Sequence, residues 1–122
     1  MAVNTSVASN PLITTIVTDT DSDTTLEIAA GVAPSLYFVE ITNPNTVAVY
    51  TKLIASASGQ AATTQHYIQL YCPASSNCYL YVPTSISIAA GIQFYTSTSG
   101  GNGASQVSPT EDVTVKIGWT AT

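Results

Sequence analysis

The sequence predicts an all-β fold: a single-domain antiparallel β-sandwich or jelly roll of about eight strands, with an extended N-terminal arm. Three observations predict it. Short runs rich in Val, Ile, Thr and Tyr recur between clusters of Asn, Pro, Gly and Ser, which is the pattern of strands and turns. No segment keeps the i, i+3, i+4, i+7 apolar spacing of an amphipathic helix. The 122 residues suit one domain, long enough to bury a core without a metal or disulfide staple. Residues 1–11 read as the arm and residues 12–122 as the sandwich.

The first strand is expected at Leu12–Thr18, and an acidic turn leads from it to Thr25–Ala29. Leu36–Thr42 carries apolar residues on both faces, Leu36 and Phe38 against Tyr37, Val39 and Ile41. That suits a central strand, or one whose outer face packs on a partner. After the turn Asn43-Pro44-Asn45 comes Val47–Ile54. His66–Cys72 and Cys78–Val82 flank the turn cluster Pro73–Asn77 and read as a hairpin with Cys72 opposite Cys78, Tyr71 opposite Tyr79 and Leu70 opposite Leu80. Ile86–Ala89 and Ile92–Thr96 follow, and the Gly-rich stretch Ser99–Gly103 is a loop tip. Asp112–Trp119 closes the fold, with Val113, Val115, Ile117 and Trp119 on the core side.

Charge usage narrows the function. From Leu53 to Thr110 the chain runs 58 residues without an Asp, Glu, Lys or Arg. Charged residues make up 7% of the whole chain, against about 25% in typical soluble domains. Natural sheets guard exposed edges with charges, especially Lys, so unguarded strands point to edges covered by neighbouring molecules. A structural, assembling protein is therefore expected rather than an enzyme. The net charge is −5 with two basic residues, Lys52 and Lys116, which leaves no phosphate-binding footprint and argues against a nucleic-acid partner. No run approaches the roughly 20 apolar residues of a membrane span. The first ten residues lack the basic start and apolar run of a signal peptide, so synthesis in a host cytoplasm is expected.

Few groups offer chemistry. The predicted hairpin turns Ile68, Leu70, Cys72, Cys78, Leu80 and Val82 to the core and Tyr67, Tyr71, Tyr79 and Tyr81 to the other side. Tyrosines pair an apolar body with a hydrogen-bonding tip and suit an oligomer or partner face; a second layer of internal packing and sugar stacking are the other readings. Phe38 joins that set of candidates. Cys72 and Cys78 are too few for a zinc site; free core thiols are expected, with a disulfide open if the protein meets an oxidising medium. Asp19, Asp21 and Asp23 begin like a calcium loop, but Thr24 stands where the loop needs Gly and Ala30 where it needs Glu. A solvated acidic turn is the expectation, with no metal and no cofactor. His66 has no partner nearby in sequence for a catalytic dyad, and no catalytic residues are assigned.

The stretch from Asn43 to Trp119 carries a resemblance. Val49-Tyr50-Thr51-Lys52-Leu53 is followed by a variable loop, Ile68-Gln69-Leu70, Cys72-Pro73-Ala74, Val82-Pro83 and Ile86. Then come Gly91-Ile92-Gln93-Phe94, a Gly/Ser/Ala-rich loop and Asp112-Val113-Thr114-Val115-Lys116-Ile117-Gly118. This order resembles small all-β virion structural proteins of tailed bacteriophages, including head decoration (cement) proteins. The Cys pair and the tyrosines depart from it, standing where small or aliphatic residues are more usual. The resemblance implies a non-enzymatic protein on the capsid surface, partnered by the major capsid protein and oligomerising, often as a trimer, to bridge and stabilise capsid subunits. The arm, with Val3, Val7, Pro11 and Leu12, is then the expected capsid or inter-subunit contact. A tail or head-fibre component, or a carbohydrate-binding module using the tyrosines, are the alternatives.

Overall fold

The computed structural model describes residues 3–7, 13, 15–31, 33–57, 66–88, 90–101 and 105–121. Among them there is no helix; nine strands form two antiparallel sheets packed into a β-sandwich. The strands are β1 (Val3–Val7), β2 (Thr15–Ser22), β3 (Glu27–Ala30), β4 (Pro34–Asn43), β5 (Val49–Ile54), β6 (Ile68–Cys72), β7 (Ser76–Ser87), β8 (Ile92–Ser97) and β9 (Val113–Ala121). The five-stranded sheet has the order β1-β2-β9-β4-β7 and the four-stranded sheet β3-β8-β5-β6.

Strands β2 to β9 pair from the outside inward: β2 with β9, β3 with β8, β4 with β7, β5 with β6. This is one long antiparallel ribbon, closed at the β5–β6 end and rolled so that successive pairs fall in alternate sheets. The arrangement is a jelly roll, with β1 added on the outside of β2.

The core lies between the sheets. Val17, Leu36, Val39, Ile41, Val113, Val115 and Ile117 face Val49, Leu53, Ile92 and Phe94, all buried. Each such side chain contributes about 1.5–3 kcal/mol relative to an exposed one. The alternation expected for the last strand is present, and Trp119 at its end donates its indole N–H to the Ala29 carbonyl at 3.0 Å, tying β9 to β3 of the opposite sheet. Three hydroxyls inside pair with one another: Thr96 Oγ1 lies 2.8 Å from Ser22 Oγ and 2.9 Å from Thr51 Oγ1.

Three expectations need correction. The His66–Val82 hairpin does not form, because β6 and β7 belong to different sheets, β6 pairing with β5 and β7 with β4. Residues 73–75 cross the edge of the sandwich instead of turning within a sheet, with Ser75 at φ 51° and its N–H on the Asn45 carbonyl at 3.0 Å. A turn cluster between two alternating runs looks the same in either arrangement. Second, the strand expected from Ile86 is the end of β7, which continues past an irregularity where β4 and β7 shift register, near Pro83 and Ser85 (φ 64°). Third, residues 3–7 of the expected arm are a strand, β1, paired with Thr15–Asp19. As expected, β4 is central, between β9 and β7.

Candidate functional site

The site begins at one end of the sandwich, where two buried asparagines fix the loops. Asn43 Nδ2 donates to the carbonyls of Val47 (3.0 Å) and Pro73 (2.9 Å), and Asn43 Oδ1 accepts from the Asn45 backbone N–H at 3.0 Å. Asn45 Oδ1 accepts the Glu111 N–H at 2.8 Å. The link from β6 to β7 is thereby held against both the β4–β5 turn and the segment before β9. That crossing brings β6 and β7, each the edge of its own sheet, to the same lateral side of the molecule.

Neither edge carries a charged residue: β6 reads IQLYC and β7 SNCYLYVPTSIS. Their inward residues, Ile68, Leu70, Cys72, Cys78 and Leu80, pack in or against the core. Their outward residues Tyr71, Tyr79 and Tyr81 are 55%, 58% and 61% exposed, and Tyr67, just before β6, is 54% exposed. Exposure above half means that these tyrosines are not a second layer of internal packing. They do not form the single face that the hairpin implied. Tyr71 lies on the outside of the four-stranded sheet, Tyr79 and Tyr81 on the outside of the five-stranded one.

On the five-stranded sheet the aromatic group is continuous. The ring of Phe38 lies over Gly118, its register neighbour, and is centred 6.3 Å from Tyr81. Tyr79 and Tyr81 stack at 5.8 Å with an interplanar angle of 12°. Tyr81 donates its hydroxyl to Glu40 Oε1 at 3.0 Å, and this hydrogen bond raises the phenol above its ordinary range by holding the proton. Glu40 pairs in register with Tyr79 on one side and Lys116 on the other.

On the four-stranded sheet Tyr71 meets Tyr50 at 5.4 Å. Next to them a residue that sequence reading passed over becomes prominent. Lys52 points outward from β5 yet is fully buried, because the segment after β8 crosses it. Its Nζ donates to the Ser99 carbonyl (2.6 Å), to Gln106 Oε1 (2.6 Å) and to the Gly101 carbonyl, and lies 5.2 Å from the Tyr95 ring centroid. Burial pulls its pKa down. With Lys52 so enclosed, Lys116 is the basic side chain left on the surface.

The acidic turn does not converge. Asp19 is buried on the core side of β2; its Oδ1 accepts the Asp21 N–H at 3.1 Å and its Oδ2 has no hydrogen-bond partner. Desolvation by burial pushes its pKa up to about 7. Asp23 Oδ1 accepts the Thr25 N–H at 2.8 Å, closing the turn. Among the described residues no three carboxylate, histidine or cysteine side chains come together as a metal site. Cys72 is buried and Cys78 half-buried, both as free thiols. The Cys72 thiol is pushed up to about 12, first by burial and then by its hydrogen bond with the Cys78 thiol.

Of the arm residues, Val3 packs against the core of its own sandwich, Val7 lies on β1, and Pro11 and Leu12 fall outside the described residues. No helix among the described residues is long and apolar enough to cross a membrane. Compared with protein-family models, with curated proteins and with solved structures, the chain finds no match in any of the three.

Proposed function

We propose that this chain is a non-enzymatic structural protein of a tailed-phage virion, a decoration protein that binds the outside of the assembled head and stabilises it by bridging capsid subunits. The observation that carries the reading is the β6/β7 side: two adjacent sheet edges without a charge, flanked by exposed tyrosines. Such edges invite strand pairing or side-chain docking, and a protein that worked alone in solution would guard them. Tyr67, just before β6, and Tyr71, on β6, are the side chains we assign to the capsid partner. The jelly roll itself supports the reading only by analogy, since viral capsid domains and lectins both use it. Stabilisation follows from linkage: a ligand that binds the assembled shell in preference to free subunits shifts the equilibrium toward the shell.

The carbohydrate-binding alternative is less well supported by the aromatic geometry. Tyr79 and Tyr81 each turn one ring face to the other, rather than lying side by side as a flat platform. Co-sedimentation with capsid shells that lack this chain tests the proposal. Saturable binding that is lost in Tyr71→Ser supports it. Binding to isolated glycans and none to shells would replace it.

A further inference from the structure

The outer face of the five-stranded sheet has a charge pattern that fits its own copy. At the centre of this face, on the neighbouring strands β4 and β9, the acid Glu40 and the base Lys116 stand directly opposed. Around this pair the outward positions include Ile16, Phe38, Tyr79 and Tyr81, with threonines between them. On a chain of net charge −5 the opposed Glu40 and Lys116 balance one another within an aromatic area, so the centre of this face does not repel a second copy.

We propose that this face packs against the same face of a second copy, about a two-fold axis running along the strands between β4 and β9. The register decides the axis. Rotation about that line places β4 of one copy over β9 of the other, so Glu40 faces the second copy's Lys116, and Lys116 its Glu40. The same operation lays Tyr81, one strand beyond Phe38, toward the second copy's Ile16, one strand beyond Gly118. An axis running across the strands would bring Glu40 toward Glu40 instead, which is repulsive. Two twisted sheets packed face to face turn by about 30°, so distant rows drift out of match. Glu40 and Lys116 flank the axis, where the twist moves them least.

The inference deepens the assembly reading by naming how copies associate, but it does not depend on a capsid. The two-fold contact departs from the trimer that the sequence resemblance implies, and it leaves the β6/β7 side free for another partner.

The test uses charge reversal and mixing, read by sedimentation velocity on the full chain. The native protein should sediment as a dimer. Glu40→Lys alone and Lys116→Glu alone each place like charges opposite one another across the axis, and each should weaken dimerisation by about tenfold or more. Mixed together, the two variants should dimerise with each other near the native strength. In the mixed dimer every reversed residue meets an opposite charge on its partner, although no single chain regains an internal Glu–Lys pair. Melting curves check that each variant folds. Tyr81→Ser supplies a second perturbation that leaves the charges in place and should also weaken the dimer. A native monomer or trimer, or two variants that fail to dimerise when mixed, would overturn the proposal. Loss of shell binding with the dimer intact would overturn the decoration reading and leave this one standing.

Discussion

The ring of Phe38 occupies the space that a side chain at position 118 would need: a Cβ on Gly118 would stand 1.9 Å from Phe38 Cε2. The glycine lets β4 lay an aromatic ring flat across β9, and the ring in turn covers backbone that the glycine leaves bare. Gly118→Ala should lift Phe38 off the sheet and break its contact with Tyr81. The better strand propensity of alanine offsets part of the loss, and a net destabilisation of about 1 kcal/mol is expected. Urea unfolding of the variant checks the magnitude. Unchanged stability would mean that Phe38 swings away at no cost.

Lys52 fastens the segment after β8 to the outside of the four-stranded sheet. Lys52→Met keeps the length of the side chain but leaves the acceptors on Ser99, Gly101 and Gln106 without their ammonium donor. The expected cost is about 2–4 kcal/mol, with faster proteolysis or hydrogen exchange between residues 98 and 106. Arginine should not rescue it, because a planar guanidinium cannot place its donors where the compact ammonium does.

Asp19 gives stability an inverted pH dependence. Its folded pKa, about 7, lies above the ordinary 3.8. Between those values the folded state therefore holds a proton that the unfolded state has released. The stabilisation is fully present below about pH 4 and is lost as pH rises through 7. Asp19→Asn removes this titration. Its melting temperature should exceed that of the native protein at pH 8, and the difference should shrink toward pH 4. A gap of constant size across the range would show that Asp19 is not the group responsible.

The two thiols should differ in reactivity. Cys72, buried and pushed up to about 12, stays protonated at pH 8, whereas Cys78 is only half-buried. Iodoacetamide applied to the folded protein should label Cys78 first, as peptide mass mapping will show. Equal labelling would mean that the β6–β7 crossing opens readily.

The parity of the strands was legible in the sequence, and their partners were not. Period-two alternation correctly turned Tyr71, Tyr79 and Tyr81 outward and Leu70, Cys72 and Leu80 inward, because side-chain direction depends only on local pleating. Whether residues 73–75 turn within a sheet or cross between sheets depends on Asn43 and Asn45, some thirty residues earlier, and no local pattern records that. β1 escaped notice because VNTSV has too little apolar content to mark a strand; pairing with β2 creates it. Lys52 and Asp19 were missed for the same kind of reason. Each is buried by chain far away in sequence, so their altered environments exist only in the folded molecule.

Deleting residues 2–11 is a poor probe of the arm, since it would strip β1 and bare the edge of β2. The central claim is better tested without altering the chain. Quantitative mass spectrometry of purified particles from the source should find it at a copy number comparable to the major capsid protein, on the order of hundreds per particle, as expected of a protein that decorates every capsid subunit cluster. Its absence from the particle, or a stoichiometry of only a few copies, would contradict a head-decoration role.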